Sequence, residues 1–340
     1  MEYILRELNT NNSLRIAYEL GNMKVNDKLN FKAMLKWVRP FGMLITVSSI
    51  KQIRNRHKDI PFSLEYNEHN SGVSYAGHMG FFKSISEEIE IGKMPGEANG
   101  NDNYIPITEI DFSKIHSDEI NKGRFVVMGE AIERESSRLA KILSRDDKEM
   151  HILLTYLIRE ILRNIPEHAE VKKALICGQY WSNKTAEIAI VDEGIGIKES
   201  LRKNKVHREY IETDEDALKF AIRAGISQSF QPSRQNKSDD EWANSGFGLY
   251  MVSEICKELQ GSFLLVSGNK YIKINHKGDI ELGETLFKGT AVKVTISTNK
   301  ILKTKQMISK IAKKGEEEAN LVRNAFKRAS KPSRGIINDL

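Results

Sequence analysis

Between Met150 and Ile165 the apolar residues Met150, Leu153, Leu154, Leu157, Ile158, Ile161, Leu162 and Ile165 recur at alternating steps of three and four. Side chains on a strand alternate with a period of two, so only a helix gathers these positions into one stripe. A stripe this continuous has to be buried against other elements. The chain is therefore organised around a buried helix, and the polar residues beside the stripe stand at the edge of a core. Glu160 and Asn164, four apart, share one flank, with His168 one turn further on.

After this helix, Ala174 to Tyr180 and Ala186 to Val191 read as two strands joined by a polar hairpin loop. The second strand runs into Asp192-Glu193-Gly194-Ile195-Gly196. A carboxylate at a strand end, followed by two glycines, lets a ligand approach the main chain closely. Residues 198–245 are polar, with a short amphipathic helix near Asp214 to Ala224 and a loop from Ser227 to Ser245 that is a candidate lid. Ser245-Gly246-Phe247-Gly248-Leu249 opens a helix to Leu259, and the N–H groups of such a start can seat a phosphate. Strands are expected at Ser262 to Ser267 and Tyr271 to Ile274, and Gly289-Thr290 leads a closing strand, Ala291 to Ser297. Each motif alone has an ordinary structural reading: a solvated flank, a turn, a helix start. Their order carries more, because Asp192 follows Asn164 by 28 residues, Gly246 follows by 54 and Thr290 by 44, each at the secondary structure its chemistry needs.

Upstream, residues 1–115 read as one small α/β unit. It has a strand from Tyr3 to Leu8, a helix-compatible stretch from Leu35 to Ile53, a strand from Pro61 to Tyr66, an apolar patch from Tyr75 to Ile85, and a Gly/Asn loop over 92–103. Residues 116–127 are expected to be a linker, and a helix begins near Met128 with a break around Ser144 to Asp147. The net charge of +6 lies in the tail: residues 300–340 hold 11 Lys and Arg against 4 Asp and Glu, and the remaining 299 hold 41 against 42. That tail reads as one or two helices, either packed on the body or touching a partner such as nucleic acid. The longest apolar runs are seven residues, far short of the roughly 18 that a membrane span needs. Met1 to Arg6 shows no secretory pattern, so a cytoplasmic protein is expected. Cys177 and Cys256 have neither metal-ligand nor redox spacing and are expected to be buried thiols.

Taken together, residues 128–299 resemble the ATP-binding domain shared by gyrase B, histidine kinases, the MutL repair proteins and the ninety-kilodalton heat-shock chaperone, the GHKL superfamily. The segment from Glu160 to His168 is similar to the N box, Val191 to Ile197 to the first glycine box, Ser245 to Leu249 to the second, and Gly289-Thr290 to the closing threonine element. The spacing of His168 is especially similar to the anti-sigma-factor serine kinases. The resemblance implies an α+β chain with a two-layer α/β sandwich of the Bergerat fold. It implies that Asp192, backed by Thr290, accepts from the adenine amine, that Asn164 ligates Mg2+, and that Glu160 is the catalytic base. His168, Gly194, Gly196, Gly246, Phe247, Gly248 and Leu249 complete the implied ATP contacts. Leu35 to Ile53, around Pro40-Phe41-Gly42, and His78 to Phe82 are fainter in their similarity to STAS-type partner-binding domains, although Arg39, Pro40 and Phe41 stand where such domains carry a phosphorylatable Ser. No histidine stands in a phosphorelay acceptor context, and Pro166 should end or kink the long helix. The implied protein binds Mg-ATP and hydrolyses it slowly or phosphorylates a protein held by the first unit. The alternative is a non-catalytic ATP switch, touching nucleic acid through 300–340; a homodimer is left open.

Overall fold

The computed structural model describes residues 2–121, 127–229, 246–299, 303–322 and 325–329. Two sheets organise them. The first is parallel, in the order β1 (Glu2–Leu8), β2 (Leu29–Val38), β3 (Phe62–Tyr66). Its connections are α1 (Thr10–Asn22) and α2 (Pro40–Arg56), followed by the short helices α3 (Ser71–His78) and α4 (Phe81–Ile85). The stretch Leu35 to Ile53, read as helix-compatible throughout, divides at Arg39: its first residues complete β2, and Pro40, whose fixed φ suits a first helical turn, opens α2.

The second sheet is antiparallel, in the order β4 (Tyr104–Asp111), β5 (Lys173–Trp181), β6 (Thr185–Asp192), β8 (Ile280–Ser297), β7 (Ser262–Asn275). Here the expected boundary at residue 115 differs from the observed division. Strand β4 falls inside the supposed first unit, yet it pairs with β5, and α5 (Phe112–Asn121) occupies much of the supposed linker. The two short strands expected near Ser262 and Tyr271 are one strand, irregular around Gly268, and β8 starts well before Ala291.

One face of this sheet carries α6 (Met128–Leu143) and α7 (Lys148–Asn164), and also α10 (Asp214–Ala221), α11 (Gly248–Glu258) and α12 (Thr304–Leu321). Two short helices between β6 and α10, namely α8 (Gly196–Arg202) and α9 (Lys205–Arg208), were not expected. The predicted stripe of α7 is wholly buried, and so is nearly every other residue of that helix. Pro166 ends α7 as expected: Ile165 N–H closes back on the Leu162 carbonyl, and a π-helical turn over Ile165–Ala169 follows.

The opposite face was expected to leave the domain two-layered, but α1 and α2 cover it. Leu175, Cys177, Ala189, Val191, Leu264, Val266 and Ala291 share a core with Leu44, Ile45 and Phe41. From Pro40 to Ile50 every residue of α2 is buried, because one side of the helix meets the parallel sheet and the other meets β5, β6 and β8. Glu187, 2% exposed, reaches from β6 to the start of α2 and accepts the Phe41 N–H at 3.1 Å. A carboxylate at a helix N-terminus is favourable in itself. The amino-terminal unit is thus fused to the second sheet through its central helix.

Helix α12 lays Ile308, Ile311 and Ala319 into the core, and residues 325–329 continue to Gly225, whose carbonyl accepts from Phe326 N–H. Residues 330–340 lie outside the described ones. Cys177 and Cys256 are buried free thiols, and among the described residues no helix is long and apolar enough to cross a membrane.

Gly42 marks how tightly α2 is held, since a Cβ there would lie 1.8 Å from the Leu8 carbonyl oxygen. Gly42→Ala is expected to destabilise the chain by about 2 kcal/mol or more, read as a lowered urea midpoint with unchanged slope. An unchanged midpoint would mean that α2 is not clamped.

Candidate functional site

Alternation along β6 sends Ile188, Ile190 and Asp192 to the face that carries α7, and pairing with β8 places Thr290 opposite Asp192. Asp192 is 5% exposed. Its Oδ1 accepts from Gly194 N–H at 2.9 Å, and Thr290 donates to it as well. Burial pushes its carboxyl up to about 6 from the ordinary 3.8, against the opposing pull of those hydrogen bonds.

Helix α7 and the π turn form the facing wall, with Asn164 and His168 lining the same cleft as Asp192, Gly196, Gly246, Gly248, Leu249 and Thr290. Asn164 Nδ2 donates to the Glu160 carbonyl at 2.8 Å, so the donor half of the carboxamide is engaged with its own helix. Its oxygen is the half with metal-ligating chemistry. Burial holds His168 well below its usual value, at about 4, and so neutral near pH 7. The third wall is the start of α11: a Cβ on Gly248 would sit 3.0 Å from Glu160 Oε2 and 3.8 Å from Asn164 Nδ2. The glycine lets that helix start approach both side chains closely, and a larger residue would require Glu160 to give way.

Glu160, 3% exposed, does not stand alone. Arg159 Nη2 donates to its Oε1 at 2.6 Å, and Glu133 lies 3.7 Å from Arg159 Nη1. Sequence spacing could not reveal this, because neighbours in a helix ordinarily point apart. Nor did it show Gln228, which lines the cleft, accepts from Ser200 Oγ at 2.9 Å and accepts at its backbone carbonyl from Asn204 Nδ2 at 2.8 Å. Those partners sit on or beside the unexpected α8 and α9. Gly194 supports Asp192 rather than lining the cleft. Phe247 differs from expectation: its side chain is fully buried, edge-on to Tyr250 and close to Gly315 of α12, so it anchors α11 in the core. Of the candidate lid, residues 230–245 lie outside the described ones.

A buried acid at a strand end, a carboxamide on the facing helix and a glycine helix start thus meet in one cleft. Residues 150–300 match the family of histidine kinase-, DNA gyrase B- and HSP90-like ATPases. No curated protein matches the chain. The match supports a GHKL-type ATPase domain that binds ATP, normally with Mg2+. The residues present fit both. Asp192 offers acceptor lone pairs to an amine, and the closely approached Gly248 leaves room for phosphate at the helix start. Among the described residues no cluster of three or more His, Cys, Asp or Glu could cage a metal, so a magnesium ion would be held through Asn164 and the nucleotide's own phosphates.

Asp192 gives a prediction with opposite signs for stability and binding. Its folded value lies above the ordinary one, so its contribution to stability is complete below about pH 4 and is lost as pH rises through 6. ATP affinity should instead fall as pH drops through 6, because the carboxylate is the better acceptor. Asp192→Asn should leave the nucleotide-free protein at least as stable at pH 7.5 while weakening ATP binding about tenfold or more. Thermal melts and calorimetry would read both, and a variant that melts lower yet binds normally would reverse the assignment.

Proposed function

We propose that the chain is a cytoplasmic ATP-binding regulatory protein whose GHKL-type domain hydrolyses Mg-ATP slowly or transfers its γ-phosphate to a partner protein. The observation that carries this reading is the meeting of Asp192 and Thr290 with Asn164 and the α11 start in one cleft, with Glu160, which does not itself line the cleft, placing Oε2 beside Gly248. Asp192 takes the adenine amine, Thr290 backs it, and Gly246 and Gly248 let N–H groups meet phosphate. Asn164 helps hold the metal, which supplies charge neutralisation at the phosphates when bound. Glu160 orients the attacking water or hydroxyl through Oε2, its other oxygen being held by Arg159. With one oxygen committed to a buried guanidinium, slow turnover is the natural outcome.

The amino-terminal unit is proposed, on its STAS-like sequence, to meet the protein partner. Its α2 is already spent on the chain's own ATPase-type sheet, and Pro40 and Phe41, beside the position of the missing Ser, are buried there. A second protein would therefore use surface that α2 leaves. The basic face of α12, with Lys310 and Lys313 exposed, keeps a nucleic-acid contact as a lesser role.

The second reading, a switch that binds ATP without chemistry, draws on the same Arg159 contact. Glu160→Gln separates the two. The variant should bind Mg-ATP within about threefold of wild type and lose at least tenfold in phosphate release or transfer from γ-labelled ATP, the scale on which a general base acts. Equal turnover in variant and wild type would remove Glu160 from the chemistry, and no turnover in either would favour the switch.

A further inference from the structure

Helix α2 does more than cover the back of the sheet. Its last turns run beneath the two segments that hold the adenine end of the cleft. Gln52 grips the backbone of Lys288 at both polar atoms: Nε2 donates to the Lys288 carbonyl at 2.8 Å, and Oε1 accepts the Lys288 N–H at 3.1 Å. Lys288 immediately precedes Gly289 and Thr290. Gly289 sits at φ +110°, where a Cβ would lie 2.1 Å from the Asp192 carbonyl oxygen, so this backbone presses directly on the Asp192 turn. The residue before Gln52, Lys51, places Nζ 3.3 Å from Glu193 Oε1, one residue past Asp192. Ser267 closes the loop: its Oγ donates to the Gly289 carbonyl at 2.8 Å and accepts Ile197 N–H at 3.0 Å.

We propose that Gln52, seconded by Lys51, is a positioning residue for the adenine pocket, so that the placement of α2 in the amino-terminal unit sets nucleotide affinity. A side-chain amide paired to a peptide in this way stands in for a neighbouring β-strand, fixing the height of the Lys288–Thr290 segment against Asp192. The sheet pairs Thr290 with Asp192 and Ser267, but the β7–β8 register then jumps to Gly268 opposite Phe287 and leaves Lys288 and Gly289 without ladder partners, which is where Gln52 takes hold. Movement of α2 relative to the sheet shifts Thr290 and the Asp192 turn together and leaves Asn164 and Glu160, on the opposite wall, in place. The amino-terminal unit thereby reads and tunes the adenine end rather than the phosphate end.

This rests on the ATP-binding reading, and the test distinguishes the two. Full-length wild type, Gln52→Ala, Gln52→Met and Lys51→Met are titrated calorimetrically with Mg-ATP and Mg-ADP. Both Gln52 variants should bind each nucleotide about five- to tenfold more weakly, by the same factor for ATP and ADP, with melting temperature and magnesium dependence held. Lys51→Met should act in the same direction by a smaller factor that shrinks with salt. Gln52→Met keeps the stem's bulk and is the variant to read if the alanine does not fold. Unchanged affinities in folded Gln52 variants overturn the inference while the ATP site stands. A loss for ATP but not ADP overturns it too, by moving the effect to the phosphate end. A wild type that binds neither nucleotide overturns both readings.

Discussion

Strand β6 is the constraint on which the rest depends. It is buried on both faces along almost its whole length, which in an antiparallel sheet requires a layer of cover on each side. Its pleat then assigns opposite tasks to two acids five residues apart. Glu187 points back into the start of α2, and Asp192 points forward into the cleft. A slip of one residue in the β6–β8 register would exchange those faces, putting Asp192 under α2 and separating it from Thr290. The doubly buried strand thus fixes the register, and with it both the union of the two units and the geometry of the site.

Much of the site was legible because its signals are local. The α7 stripe needs only helical period, the Asp192 turn needs only a strand followed by glycines, and the α11 start needs only Gly-Phe-Gly before an amphipathic run. What stayed hidden depends on contacts distant in sequence. The back cover of the sheet was latent in Ala186 to Val191, where Glu187 is the one polar residue among apolar ones, a pattern fit for a doubly buried strand. It was latent too in Phe41 to Val47, an apolar run that makes sense in a helix lying between two sheets. Neither run names its partner. Strand β4 was lost to the first unit because a strand's sheet is decided by pairing, here with β5, and not by its place in the chain. Phe247 was assigned to the nucleotide because it lies between two glycines that do line the cleft, but a helix start turns successive side chains in different directions.

The fusion through α2 also changes what an amino-terminal α/β unit can do in such a chain. A partner-binding module on a linker reports occupancy only through proximity. One whose central helix shares a core with the ATPase-type sheet reports it through packing, and packed cores answer strain by shifting as units. The end of α2 that carries Lys51 and Gln52 is where such a shift reaches polar contacts instead of apolar ones, and polar contacts have directions to lose.

Three buried carboxylates, Glu160, Glu187 and Asp192, differ in how their charge is compensated. Glu160 has the Arg159 guanidinium. Glu187 has the Phe41 N–H at a helix start, with Lys293 contributing charge nearby. Asp192, 5% exposed, is nearly as buried, yet its hydrogen-bond partners Gly194 and Thr290 are neutral donors, and the charge acting on it is the like charge of Glu193. Burial without a cation is what lifts its carboxyl toward neutrality, and the carboxyl lines the cleft as well as accepting from Gly194 and Thr290. A structural acid would gain stability by being paired or replaced, as the other two are paired. Retaining this one under-compensated makes sense if the missing donor arrives with the nucleotide, since binding then recovers the desolvation cost that folding left in place.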